Sequence, residues 1–348
     1  MATIGLVVNP AAGKDIRRLV AWGSVFGNRE KVNTLIRFLQ GFLGVTYGEH
    51  HVVYMPDPYD LVEAALREYS SPARLSFERA PIVSFGDASD TLRFTEWAVE
   101  EAKVSVLVTF GGDGTNRVVA KRSGDTPLFA LSCGTNNVFA ETIEPTLAGM
   151  ALGFFLEGKV ERDQVLRRCK RLRCFSGTRE DIALVDVVFV TKRILGTKAV
   201  WEPETVRFIA VTQSSPLTIG LSSVIGRMVH ILPEERYGAY ALLGEEGQRV
   251  LAPLAPGLVR EVCVSEFRVL EVGEVVPLPE GPGAIALDGE REILVYPGEE
   301  WRVCLEHDGP IRADMVRILE LSQERSGWCG KGSHYAETWA DYGRGSHQ

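Results

Sequence analysis

The chain has 348 residues, enough for two domains that each bury an apolar interior. Hydrophobic residues make up 45% and charged residues 24%, the balance of a globular protein rather than a disordered or fibrous one. A formal net charge of −8 favours solubility and argues against a nucleic-acid-binding surface. The six cysteines form no Cys-x-x-Cys pair, and the six histidines show no ligand spacing. These patterns imply reduced thiols in a cytoplasmic protein with no structural metal site. No signal-peptide pattern opens the chain, and no run approaches the roughly 18 apolar residues of a membrane helix, so transport and surface roles drop out.

In chain order, residues 4–8 read as a strand ended by Asn9-Pro10, and residues 30–43 as a helix with Val32, Leu35, Ile36, Leu39 and Leu43 at helical spacing. A strand at 51–55, a helix at 60–69, a strand at 81–85 and a helix at 89–102 follow. Then come a strand at 104–110, a helix at 115–121, a strand at 128–132 and a closing helix at 146–156. Strands alternating with helices predict an α/β domain with a parallel, helix-covered sheet. Beyond Gly158 the texture changes. Apolar runs at 182–190, 206–211, 240–242, 262–264, 293–296 and 301–305 are separated by glycine, proline and charge, which predicts an antiparallel second domain. The expected division is 1–158 and 159–325, with 326–348 as a mobile tail.

The strongest motif is Gly-Gly-Asp-Gly-Thr at 111–115, running straight out of an apolar strand into a helix. Gly111, Gly112 and Gly114 permit positive φ and remove the Cβ, so backbone N–H groups can approach an anion. Thr115 adds a hydroxyl at the helix start, and Asn116 lies within reach of a ribose or phosphate oxygen. Asp113 needs its own reason beside phosphate: it holds a cation, or it takes a proton from an attacking hydroxyl. A second small polar turn, Cys-Gly-Thr-Asn-Asn at 133–137, follows the next strand, so Gly134, Thr135, Asn136 and Asn137 would face the same pocket. Ligands of parallel sheets bind beyond the carboxyl ends of the strands, which places Asn9 there too. Lys14, Arg17 and Arg18, just after the first strand, are candidates to neutralise phosphate or an anionic acceptor. The Arg162–Arg173 cluster lacks aromatic partners and reads as a solvated strand face. Asp288-Gly289 is a natural β-turn, so Glu290 beside it is open to a turn role or a chemical one.

The Gly-Gly-Asp-Gly-Thr loop, the Asn-Pro after the first strand and the Gly-Thr-Asn-Asn turn together resemble the NAD kinase/diacylglycerol kinase-like superfamily. The resemblance extends to about residue 320. More narrowly, Asn9-Pro-Ala-Ala-Gly-Lys-Asp-Ile-Arg-Arg-Leu-Val, the 26–31 stretch and Leu287-Asp-Gly-Glu-Arg-Glu look like the acetoin catabolism protein X (AcoX) branch, which is ATP-NAD kinase-like. The resemblance implies a Rossmann-like N-terminal domain and a β-rich, sandwich-like C-terminal domain that closes over the loop. It implies ATP or polyphosphate as donor, Mg²⁺ carried with the nucleotide and with Asp113 as its candidate ligand, and a homo-oligomer, dimer or tetramer. Asp113 takes the place of the loop aspartate that assists attack by the acceptor hydroxyl. Glu290 matches the acid of the lipid-kinase Asp-Gly-Glu, a second candidate base or metal-organising group.

Where NAD kinases hold the dinucleotide with an Asn-Glu pair, this chain has Val185-Asp186. The acid remains and the amide is gone, so NAD is doubtful as the acceptor. At 218–223 the segment that lines the NAD kinase site lacks its tyrosine. The sequence therefore points to a small-molecule kinase of the phosphotransferase class, with an alcohol group as acceptor. A true NAD kinase, a non-catalytic nucleotide-binding protein and a lipid kinase are the rivals. On this reading Asp113→Asn abolishes phosphoryl transfer and leaves nucleotide binding largely intact.

Overall fold

The computed structural model describes residues 1–13, 22, 26–69, 74–134, 137–191 and 203–326. The expected sites Lys14, Arg17, Arg18, Thr135 and Asn136, and the tail beyond 326, lie outside these residues.

The first half forms β1 (Ala2–Val8), α1 (Asn28–Val45), β2 (His50–Tyr54), α2 (Leu61–Glu68), β3 (Leu75–Arg79), α3 (Ala88–Glu100), β4 (Val106–Gly111), α4 (Asp113–Ala120), β5 (Leu128–Ser132) and α5 (Pro145–Leu156). These strands pair in parallel in the order β3-β2-β1-β4-β5. That order reverses direction between β1 and β4, the place where open α/β sheets leave a crevice at their carboxyl edge. β4 is buried along its whole length and bears the apolar run that announces it. Val106, Val108 and Phe110 point into the layer beneath α1, α2 and α5, while Leu107 faces α3 and α4. Each such side chain contributes about 1.5–3 kcal/mol when fully buried, so the strand that presents the glycine loop is among the most firmly held.

One expected strand is displaced. Residues 81–85 form a loop, and the strand is β3, six residues earlier. β3 is an edge strand with Leu75 buried and its Ser76, Glu78 and Arg79 in the open, so its sequence lacks the apolar run of an interior strand. Conversely Val83 and Phe85, which suggested a strand, are each 69% exposed.

The second half continues with α6 (Arg162–Val165), β6 (Leu166–Arg168), β7 (Arg171–Ser176), β8 (Arg179–Ala183), β9 (Asp186–Val190), β10 (Val206–Val211), α7 (Ser222–Gly226), β11 (Tyr237–Ala255) and β12 (Leu258–Glu271). It ends with β13 (Val275–Pro277), β14 (Gly283–Leu287), β15 (Glu290–Val295), β16 (Arg302–Glu306), β17 (Ile311–Ala313) and α8 (Met315–Ser326). A six-stranded antiparallel sheet, β12-β11-β10-β9-β14-β15, packs on a four-stranded one, β13-β16-β7-β8. Phe189, Phe208 and Ile285 from the first meet Leu172, Val303 and Leu305 from the second in a shared apolar layer. The fold is therefore α/β, with a parallel sheet first and an antiparallel sandwich after it. On β7 the arginines occupy a half-exposed face, where Arg171 and Arg173 both pair with Glu306 of β16.

The chain then returns. β17 pairs with β5, β6 pairs with β17, and Ile318 and Leu321 of α8 enter the apolar layer under α1 and α5. The first sheet thus gains its last two strands from either side of the sandwich.

Candidate functional site

The carboxyl ends of β1, β4 and β5 carry the three turns singled out by sequence, and the structure ties them together. Asn9 Nδ2 donates to Thr115 Oγ1 at 2.7 Å, joining the first turn to the glycine loop across the switch point. Asn137 joins the loop to the third turn: its Oδ1 accepts the Asp113 N–H at 3.3 Å, and its Nδ2 donates to Ser132 Oγ at 2.7 Å. The glycines are needed for room. None of Gly111, Gly112 and Gly114 has a positive φ, contrary to the torsional freedom expected of them. A Cβ at 111 would stand 2.6 Å from Thr115, and one at 112 would stand 2.9 Å from Asn137 Oδ1. From the other side, a Cβ at Gly134 would lie 3.1 Å from Asn137 Nδ2.

Asn116 is fully buried; its Oδ1 accepts from Thr109 Oγ1 at 2.6 Å and its Nδ2 donates to Gly112 O at 2.9 Å. It braces the loop from beneath. α4 begins at Asp113, and a helix cannot satisfy its first-turn N–H groups from its own carbonyls. Gly114 and Thr115 thus present amides, backed by the helix dipole, at the switch-point crevice.

Asp113 is only 7% exposed. Its carboxylate accepts the backbone N–H groups of Val138 (2.8 Å), Phe139 (3.0 Å) and Ala140 (3.1 Å), using both oxygens. The acid expected to meet the substrate thus organises the backbone that follows the third turn. Gln213 Nε2 and Arg312 add bonds to the carbonyls of Val138 and Phe139, so that stretch is held on both sides.

Glu290 comes from the sandwich. Asp288 and Gly289 both have positive φ, 52° and 82°, and link β14 to β15 as a two-residue hairpin turn, the conformation Asp-Gly favours. The turn carries Glu290 to the glycine loop, where its carboxyl carbon and Oε1 lie 3.8 Å from where a Gly114 Cβ would be. Asp288 folds back, and its carboxylate accepts the N–H groups of Leu184, Val185 and Asp186 at 2.7–3.2 Å. Asp186, 6% exposed, accepts the Gly289 N–H at 3.3 Å and so secures the same turn. Val185 is 2% exposed and packs among Val119, Phe139 and Ala140. It is part of the seam between the two halves, so at this position the fold buries a methyl surface and offers no amide to a ligand. In the 218–223 segment the Thr218 hydroxyl donates to Ser215 O, and Ser223 donates to Gly220 O and Pro253 O.

Three residues of the site escaped the sequence reading. Arg117, one turn beyond Asp113, is 3% exposed and lies 3.6 Å from Asp288 and 3.5 Å from Asp181. Asp288 has an entirely buried side chain; burial drives its pKa upward and nearby Asp186 and Asp113 add to that, while Arg117 opposes them. Lys31 is fully buried on α1 and donates to Pro10 O at 2.6 Å, under the Asn9 turn. Its signal was legible: Lys31 falls on the same helical stripe as Leu35, Phe38 and Phe42, where a lysine is out of place without a polar partner.

Residues 170–308 match the family model of the acetoin catabolism protein X C-terminal domain. Over 324 residues the chain is 33% identical to the acetoin catabolism protein X of Cupriavidus necator, a match covering 89% of each chain. The chain belongs to the AcoX family. The AcoX domain model begins after β6 and ends before β17, so its limits coincide with the points where the chain leaves the first sheet and returns to it. Within those limits lie Asp181, Asp186, Asp288 and Glu290; the glycine loop and Arg117 lie before them. In this AcoX-family protein the site is therefore assembled from both sides of that boundary.

No helix among the described residues is long and apolar enough to cross a membrane. Among the same residues no group of three or more His, Cys, Asp or Glu side chains is arranged to hold a metal ion. With both Asp113 oxygens on backbone amides, the loop does not preassemble a magnesium site.

Proposed function

We propose that this AcoX-family protein transfers the γ-phosphoryl group of ATP to a hydroxyl of a small molecule. The observation that carries the reading is the placement of Glu290 over Gly114, an acid from the sandwich set against the phosphate-type loop of the parallel sheet. The first-turn amides and dipole of α4 hold the triphosphate, with the Asn9–Thr115 bond fixing the shape of the crevice. Glu290 accepts the proton of the acceptor hydroxyl as it attacks the γ-phosphorus, while the bond from that phosphorus to the β–γ bridging oxygen breaks and ADP leaves. Asp113 keeps the 138–140 backbone in place beside it. Any Mg²⁺ would arrive on the phosphate oxygens of the nucleotide. The burial of Val185 in the apolar seam favours an acceptor other than NAD. We place the protein in the cytoplasm, with ATP and polyphosphate as the donors to compare.

The test is to incubate the protein with Mg²⁺, γ-labelled ATP or polyphosphate, and a panel holding NAD, acetoin, small polyols and diacylglycerol. Label should move to a small hydroxyl compound. Label on NAD above all others would make the protein an NAD kinase. ATP bound with no transfer to any acceptor would instead favour a nucleotide-binding protein without turnover.

A further inference from the structure

Arg117 stands on the first half of the molecule and reaches acids on both sheets of the second. It belongs to α4, the helix that begins with Asp113. One nitrogen, Nη1, lies 3.5 Å from Asp181 on β8 of the four-stranded sheet; another, Nε, lies 3.6 Å from Asp288 in the β14–β15 turn of the six-stranded sheet. One turn further, at the residue that caps the end of α4, Lys121 Nζ lies 2.6 Å from the other oxygen of Asp181. We propose that Arg117 is a positioning residue that sets the Asp288-Gly289 turn, and through it Glu290, at its distance from the glycine loop.

The case rests on what such a pair supplies. A buried ion pair is weak evidence for stability, because apolar side chains of similar volume often serve as well; its best-attested use is to set the register between the elements it joins. Here the joined elements are the two sides of the site. A planar guanidinium faces the two acids with nitrogens held in one fixed geometry, whereas the three donors of an ammonium rotate freely and fix no such angle. The connection onward from Asp288 is short and stiff. Its carboxylate is also anchored on the amides of residues 184–186, its backbone N–H donates to Asp186 O at 3.0 Å, and Glu290 follows after a single glycine. A shift of the turn therefore reaches the Glu290 carboxylate almost undiminished. What Glu290 does rests on the kinase reading above; where it sits does not.

The experiment has two arms on the full chain, with Arg117→Met and Arg117→Lys. In the first, backbone hydrogen exchange is followed without any ligand. Arg117→Met should raise exchange about tenfold or more at residues 184–186 and 288–290, with β10 unchanged. In the second, transfer of labelled γ-phosphoryl from Mg²⁺-ATP is measured. Arg117→Met should lower kcat by about 100-fold with KM for ATP within about threefold, the pattern of a misplaced reacting group. Arg117→Lys, which keeps the charge and loses the fork, should recover part of the rate and tighten exchange in the turn. If Arg117→Met does not fold, Arg117→Lys carries both arms and should show smaller changes of the same kind. Unchanged exchange in the turn, or a rise in KM with kcat unchanged, overturns the proposal. A wild-type protein that transfers phosphate to nothing sinks the kinase reading instead, and the exchange arm still decides the role of Arg117.

Discussion

Asp113 and Asp288 do the same thing on opposite sides of the site: each is the acid of an Asp-Gly pair, and each closes three successive backbone amides with one carboxylate. Asp113 holds residues 138–140 and Asp288 holds residues 184–186. The two acids are near enough to influence one another's charge, with Arg117 beside Asp288. Both are therefore structural anchors beside the third acid, Glu290, to which the proposed transfer assigns the proton.

Asp113→Asn separates the two roles an acid in this loop can have. An amide side chain keeps one acceptor oxygen and puts an NH₂ against a backbone donor. Hydrogen bonds to a charged group contribute about 1.5–3 kcal/mol each, so losing even one or two should lower stability by a few kcal/mol. Because the 138–140 backbone loosens, ATP affinity should fall together with turnover. Calorimetric ATP binding beside a denaturant melt checks this; wild-type affinity with no turnover would return Asp113 to the role of proton acceptor.

Glu290→Gln should behave in the opposite way. The turn at 288–289 and the amide anchors remain, so folding and ATP affinity should stay close to wild type. Turnover should fall about 10²–10⁴-fold, the range for loss of a general base. Steady-state kinetics with the acceptor identified from the panel measures it, and a change confined to KM would count against the assignment.

Gly111→Ala tests whether the loop glycines provide space. The new methyl would lie 2.6 Å from Thr115, so Thr115 must move and its bond from Asn9 must break. Overpacking of this kind costs about 1–3 kcal/mol. With that cost falling on the nucleotide-binding shape of the loop, ATP affinity should drop by about 5- to 100-fold, as each 1.4 kcal/mol is tenfold in binding. A crystal structure of the variant should show the Asn9–Thr115 bond lost.

Glu141, at the foot of the third turn, makes stability depend on pH. Burial pushes its carboxyl from 4.5 up to about 7, with Arg312 opposing. Since the folded-state value is raised, its contribution is full below about pH 4.5 and is lost as pH rises through 7. At one pKa unit per 1.36 kcal/mol the whole swing is about 3 kcal/mol. Glu141→Gln should remove that part of the slope, gaining on the wild type between pH 5.5 and 8 in urea melts. A slope identical in both proteins would rule Glu141 out as its source.

Much of the cleft was readable along the chain. The apolar run of β4 and the glycines after it are local signals, since a strand buried on both faces must be apolar throughout and a close contact must lack a Cβ. Parallel pairing then brings Asn9, Gly111–Thr115, Gly134 and Asn137 to one edge without further information. β3 was misplaced because an edge strand buries too little to impose an apolar pattern. Lys31 was visible as a lysine within an apolar stripe, though nothing local named Pro10 as its partner.

The division of labour among the acids lay beyond that reach. Asp113, Asp288 and Glu290 are all carboxylates beside glycine, and spacing along the chain treats them alike. Whether a carboxylate meets backbone amides, a guanidinium or the mouth of the crevice depends on which distant segment packs against it. Val138–Ala140 reach Asp113 through the pairing of β4 with β5 in the first half, Leu184–Asp186 reach Asp288 through the pairing of β9 with β14 in the sandwich, and Arg117 reaches Asp288 where the two halves meet. Local sequence sets the turn each acid occupies; the pairing of distant strands within each half, and the packing of the halves at Arg117, set the partner it meets there.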